Sequence, residues 1–212
     1  NFIFKSNLKN KIYNIIILML LPLINLELNF HPNETQFPST DNFKLITNNK
    51  YPVYYDIDKD YNSMYISYTY QINYIINCSY GLIHGLMPRN SRISGYHEID
   101  REYIRILINK KTTKPEIVYF SAHDKEGKWI PWENCEKNKN GDLKIYPAYC
   151  SHANYPYSGT WFRVCFLGND RCSSLGKIII PELINKKIIL DISPDRYKNG
   201  CLLGRLGSYL IY

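Results

Sequence analysis

Ile66, Tyr68, Tyr70, Ile72, Tyr74 and Ile76 alternate along the chain with Ser67, Thr69, Gln71, Asn73, Ile75 and Asn77. That period of two predicts a long strand with one apolar and one mostly polar face. Asp100 to Ile108 repeats the pattern, placing Asp100, Glu102, Ile104, Ile106 and Ile108 on one face. Further strands are predicted around 117–123, 143–149, 160–167 and 186–192, beside the one at 100–109. Asn140-Gly141 predicts a hairpin turn between Trp132 and Ile145. Gly81 to Gly95, with Pro88, Arg89, Asn90, Ser91 and Arg92, reads as a loop. No later stretch sustains a helical period. Strands separated by turn residues predict an all-β fold, an antiparallel β-sandwich.

The N-terminal pattern is different. Lys5, Lys9 and Lys11 precede an apolar run from Ile15 to Ile24 that contains Pro22. A bilayer-spanning helix needs about 20 apolar residues, so this reads as a signal peptide, with an uncleaved signal anchor as the alternative. The expected organisation is a leader over 1–28, a linker rich in Asn, Pro and Thr over 29–50, and the sandwich over 51–212. Secretion, or tethering by the anchor, follows from that reading.

An oxidising compartment gives meaning to the six cysteines, Cys78, Cys135, Cys150, Cys165, Cys172 and Cys201. An even number suits a disulfide framework, and Gly168-Asn169-Asp170 is turn chemistry that favours a local Cys165–Cys172 bridge. The plain alternative is buried thiols. Asn33-Glu34-Thr35 and Asn77-Cys78-Ser79 are glycosylation sequons. Among 212 residues, 45% are hydrophobic and 15% aromatic, which excludes disorder as the dominant state. The net charge of +7 permits anionic partners, but the basic residues are scattered and form no nucleic-acid motif. Nucleic acid is therefore not an expected partner.

Two carboxylates on an isoleucine-lined face are the chemistry that stands out. Burying Asp100 and Glu102 together is costly unless a cation or strong donors neutralise them. His97 lies three residues before Asp100, and His123 and His152 each follow a predicted strand. If alternate strand ends meet at one edge of the sheet, either histidine completes a site with His97, Asp100 and Glu102. Mixed imidazole and carboxylate ligands suit zinc, manganese or iron, whereas magnesium or calcium requires mostly oxygen ligands and water. The bland reading has the carboxylates solvated or paired with Arg101 and Arg105. Ser121 and Ser151 sit close to histidines in sequence, but no Gly-x-Ser-x-Gly elbow supports a nucleophile.

Taken in order, the motifs resemble the vacuolar protein sorting-associated protein 62 family. They are Gly95…His97-x-x-Asp100-x-Glu102, Val118-Tyr119-Phe120-Ser121-Ala122-His123 with Trp129 downstream, and Ser151-His152-Ala153-Asn154-Tyr155-Pro156…Gly159. Asn169-Asp170-Arg171 resembles a further family segment, and the likeness spans roughly residues 51–192. The His-x-x-Asp-x-Glu element is also similar to the heptad of necrosis-inducing-like proteins, secreted β-sandwich cytolysins. In those the matching His, Asp and Glu surround a divalent cation and help engage sphingolipid headgroups. The resemblance implies metal-site roles for His97, Asp100 and Glu102, with His123 and His152 secondary. Arg101 stands where both families carry Trp, and Tyr103 replaces a family histidine.

The resulting expectation is a secreted binding module carrying a divalent cation (Mg, Ca, Mn or Zn) and recognising membrane lipid headgroups or glycans. It is not primarily an enzyme. The rivals are a metal-dependent hydrolase, an intracellular trafficking component and a degenerate scaffold.

Overall fold

The computed structural model describes residues 23–40, 42, 44, 46, 48–75, 99–122, 127–162 and 169–188. The long alternating runs become β3 (Tyr65–Ile75) and β4 (Ile99–Asn109), antiparallel over their full length, from Tyr65 opposite Asn109 to Ile75 opposite Ile99. Ile66, Tyr68, Tyr70, Ile72 and Tyr74 from β3 and Ile104, Ile106 and Ile108 from β4 all face the core. With β2 (Pro52–Asp58), β5 (Pro115–Phe120), β6 (Lys128–Pro131) and β12 (Glu182–Asn185) they form one six-stranded sheet, in the order β12-β2-β3-β4-β5-β6.

A second sheet packs against this one. Its order is β11-β1-β7-β8, from β1 (Leu26–Asn29), β7 (Leu143–Pro147), β8 (Asn154–Tyr155) and β11 (Ile178–Ile179). Leu26, Leu28, Leu143, Ile145 and Ile179 join the β3 and β4 side chains in one cluster, which makes the molecule a sandwich. A separate ribbon pairs β9 (Gly159–Trp161) with β10 (Asp170–Cys172). It covers a smaller cluster of Ala122, Tyr146, Ala148, Ala153, Tyr155 and Cys172.

Several expectations change. The sandwich is not purely antiparallel, because β1 runs parallel to β7 and β12 parallel to β2. The first strand begins inside the stretch assigned to the leader and runs one residue past it, and Leu26 and Leu28 are completely buried. Ile24, at the end of the apolar run, packs on the same core, and its carbonyl accepts the Tyr70 hydroxyl at 2.8 Å. A boundary at residue 28 would cut β1, so the domain begins before it. Nor are residues 29–50 a free linker, since Phe30, Glu34 and Ser39 are buried and Ser39 N–H bonds the Asn73 carbonyl at 2.7 Å. Residues 1–22, which hold most of the leader, lie outside the described residues.

Glu27 and Asn29 alternate with the two leucines yet are themselves buried. Asn29 Nδ2 donates to Glu27 Oε1 at 3.2 Å, and Asn138 Nδ2 donates to Glu27 Oε2 at 2.8 Å, which offsets their desolvation. The Asn140-Gly141 turn is present, with Gly141 at φ +86° and Lys137 bridging Leu143. The last described strand is β12, ending at Asn185. Residues 186–188 are not strand, and residues 189–192 of the strand expected at 186–192 lie outside the described residues.

The cysteine picture also changes. Cys135 and Cys172 are buried thiols, lying in different clusters. Cys135 Sγ donates to the Pro131 carbonyl at 3.5 Å and Cys172 Sγ to that of Tyr146 at 3.3 Å. The expected Cys165–Cys172 bridge involves Cys165, which lies outside the described residues. Cys78, Cys165 and Cys201 lie outside the described residues.

Candidate functional site

Asp100, the second residue of β4, lies directly opposite Tyr74 of β3, and Glu102 follows two residues later on the same inward face. The register sends Arg101, Tyr103 and Arg105 to the other face. There the Arg105 Nε bonds Thr69 Oγ1 at 3.2 Å and its guanidinium lies over the Tyr61 ring. Glu102 is buried and held by the Ser121 hydroxyl, which donates to Oε2. The same hydroxyl oxygen accepts the Tyr103 amide at 2.7 Å, so Ser121 closes the end of the β4–β5 ladder. That bonding makes Ser121 a clamp on the carboxylate.

His152 arrives from the turn between β7 and β8. Two residues there adopt left-handed backbone, Cys150 at φ +64° and His152 at φ +54°. Such conformations cost free energy away from glycine. The turn is held by His152 N–H to the Ala148 carbonyl and Ala148 N–H to the Ala153 carbonyl, both at 2.9 Å. Asp170 fastens it from β10, accepting Ser151 Oγ at 2.8 Å and Tyr155 Oη at 2.6 Å. The result drives the His152 ring completely into the interior, stacked on Tyr74 at 4.0 Å between centroids and 4° between planes.

Carboxylates stand on both sides of that ring. His152 Nδ1 lies 3.9 Å from Asp100 Oδ2, and Nε2 lies 3.6 Å from Glu34 Oε2. Neither ring nitrogen makes a hydrogen bond, nor does the buried Tyr74 hydroxyl. Glu34 belongs to the segment after β1, and three backbone amides hold it. Its Oε1 accepts Thr35 N and Gln36 N, each at 2.8 Å, and its Oε2 accepts Cys150 N at 2.9 Å. Burial pushes the Glu34 carboxyl up, but His152 and the Cys150 and Gln36 amides outweigh it and leave the group below its ordinary value. Tyr74 is displaced the other way. Burial first, then the fields of Glu102, Asp100 and Glu34, hold its phenol well above the usual range, so it stays protonated.

Asp100, Glu102 and His152 thus meet around Tyr74, while His97 and His123 lie outside the described residues. No group of three or more His, Cys, Asp or Glu side chains among the described residues closes into a metal cage. Carboxylate oxygen and imidazole nitrogen are atom types that ligate cations, and here the His152 ring nitrogens and the Tyr74 hydroxyl are buried without a hydrogen bond. The sequence did not point to Glu34, whose only motif was the sequon around it. Asn33 and Thr35 of that sequon are exposed on a turn, whereas Glu34 between them points inward. Asn77 lies outside the described residues.

Beside the cluster, Asn154 N–H bonds the Ser121 carbonyl at 2.8 Å and begins an aromatic run. The Trp161 ring is 4.4 Å from Tyr155 and 4.6 Å from Tyr157, with the Lys128 ammonium 5.7 Å from its centroid. Tyr157 and Phe162 are exposed.

Neither a protein-family model nor any curated protein matches this sequence, so the resemblance to the vacuolar protein sorting-associated protein 62 family gains no support. Among solved structures, the chain is similar to Necrosis and Ethylene inducing Protein 2 from the causal agent of cocoa's Witches Broom disease. The TM-score is 0.45 at 15% identity, covering 76% of this chain and 70% of that one. It is similar also to NLPPya in complexes with glucosamine and with mannosamine. Both have a TM-score of 0.45, at 12% and 13% identity, covering 92% of this chain and 78% of those.

Proposed function

We propose that the protein is a secreted or membrane-tethered binding module that holds a divalent cation at the Asp100–Glu102–His152 cluster and recognises an oxygen-rich ligand there. One observation carries this reading. His152 is fully buried, makes no hydrogen bond through either nitrogen, and lies between two carboxylates. An unpaired buried polar group costs about 1–3 kcal/mol, and a ligand engaging several such groups recovers that cost. Asp100 and Glu102 would supply oxygen and His152 nitrogen, a mixed set suited to zinc or manganese. When bound, the cation supplies positive charge that attracts sugar hydroxyls or headgroup phosphate. The exposed Tyr157 ring offers an apolar face on which a pyranose or lipid headgroup region can pack.

The test is elemental mass spectrometry of the full chain, purified without chelator, with melting curves before and after chelation. Near-stoichiometric metal and a melting point that falls on chelation are expected, both lost in Asp100→Asn. At a free cation concentration one hundred times Kd the bound ion adds about 2.7 kcal/mol, a readily visible shift. Metal-free protein whose melting ignores added Zn2+ and Mn2+ would refute the cation. Binding to neither a glycan array nor vesicles would refute the ligand class.

A further inference from the structure

We propose that β12 is a dimerisation edge, where two copies of this chain join their six-stranded sheets by antiparallel pairing about a two-fold axis through Ile184. The inference goes beyond the cation reading and does not rest on it.

Among the described strands, β12 has β2 as its one hydrogen-bonded neighbour. The Glu182 and Lys186 amides bond the Tyr51 and Tyr55 carbonyls, at 2.8 and 2.9 Å. The backbone groups of 182, 184 and 186 are thus spent on β2, and those of Leu183 and Asn185 point to the outer edge. Such a row is a template for another strand. Side chains divide by the same period. Leu183 packs on the core, whereas Glu182, Ile184 and Lys186 lie exposed on the other face.

The order of those three residues selects the partner. When two identical strands run antiparallel about Ile184, positions 182 and 186 of the two copies stand opposite each other. Glu182 then faces the partner's Lys186 at both ends of the contact, and Ile184 meets the partner's Ile184 at its centre. These are non-hydrogen-bonded positions, where opposed side chains lie closest. Between them Leu183 and the partner's Asn185 exchange backbone bonds, and the symmetry repeats the exchange. Ile180, 60% exposed beyond Pro181, falls opposite the partner's Ile188 in the same register. Isoleucine meets isoleucine, and acid meets base.

Neighbouring registers that keep the backbone bonds lose this match. A shift one way sets Glu182 against Ile184, and a shift the other way sets Lys186 against Ile184. Lysine on an edge opposes indiscriminate pairing, and here Lys186 admits one register by having an acid to face. The opposite edge strand of the sheet, β6, holds Lys128 and no acid, so it has no such self-match.

The experiment uses the full chain. Sedimentation equilibrium over a range of concentrations is expected to show a monomer–dimer equilibrium. Glu182→Lys and Lys186→Glu each set like charges opposite each other twice, and each should weaken the homodimer about ten-fold or more. Mixed together, the two variants regain both opposite-charge pairs and should associate as the wild type does. Ile184→Cys gives a second readout that keeps both charges. On the two-fold axis the facing Cα atoms lie about 4.5 Å apart, inside disulfide range. Mild oxidation should therefore link two chains through position 184, seen by peptide mass mapping. Glu182→Cys should not link to itself. If the charge variants fail to fold, the cross-link decides. A chain that stays monomeric throughout overturns the proposal. So does association indifferent to both charge variants, or a dimer that Ile184→Cys does not link.

Discussion

Protonating Glu34 leaves the amides of Thr35, Gln36 and Cys150 facing a neutral acid in place of an anion, and removes the negative charge opposite His152. Because its folded-state value is lowered, Glu34 contributes stability that is complete above the ordinary value of 4.5. That contribution is lost as pH falls through the lowered value. Glu34→Gln should therefore cost about 1–3 kcal/mol at neutral pH and flatten the acid limb of the stability curve below pH 4.5. Denaturation followed by tryptophan fluorescence across that range checks it, and parallel acid limbs would show that Glu34 is not the group responsible. Asp100 and Glu102 were legible as inward-facing carboxylates because a period of two put them on an isoleucine face. His152 was legible only as a histidine after a strand. Its burial depends on a left-handed turn that no glycine announced. Glu34 was hidden altogether, since its partners are backbone amides, one of them 116 residues away.

At the scale of elements, β3 and β4 could be read directly because each is long, and their alternation repeats often enough to outweigh local exceptions. The first strand escaped notice for the opposite reason. Leu26 and Leu28 alternate with Glu27 and Asn29, but the preceding apolar run absorbs them into a leader pattern. A chain beginning at Leu23 should melt cooperatively, whereas one beginning at Phe30 lacks the strand that β7 and β11 both pair with. Circular dichroism during heating separates the two, and equal cooperativity would show that β1 is dispensable. Gly176 makes a related point. A side chain there would collide with the backbone of Phe30 and His31, just beyond β1, where the Phe30 amide bonds the Lys177 carbonyl at 3.0 Å. Gly176→Ala should cost about 1–3 kcal/mol in chemical denaturation.

Across the whole molecule, the two clusters each enclose a thiol. Burial pushes the Cys135 thiol up to about 11, and burial with the nearby Asp170 raises Cys172 further. Since the thiolate is the reactive form, both should resist maleimide in the native protein at neutral pH and react on unfolding in urea. Peptide mass mapping reads this directly, and rapid native labelling of either residue would contradict its burial. The tie between the sheets has another consequence. Strands β2 to β6 pair in sequence order and can assemble as soon as residues 52–131 have emerged during synthesis. In contrast β1, made before any of them, has its neighbours at residues 143–147 and 178–179. Such distant pairing is slow, because the intervening chain must be ordered before the contact forms. Among the described strands, the first to leave the ribosome is thus among the last to be seated. Until then its leucines and the uncovered face of the growing sheet are surfaces for a chaperone to guard.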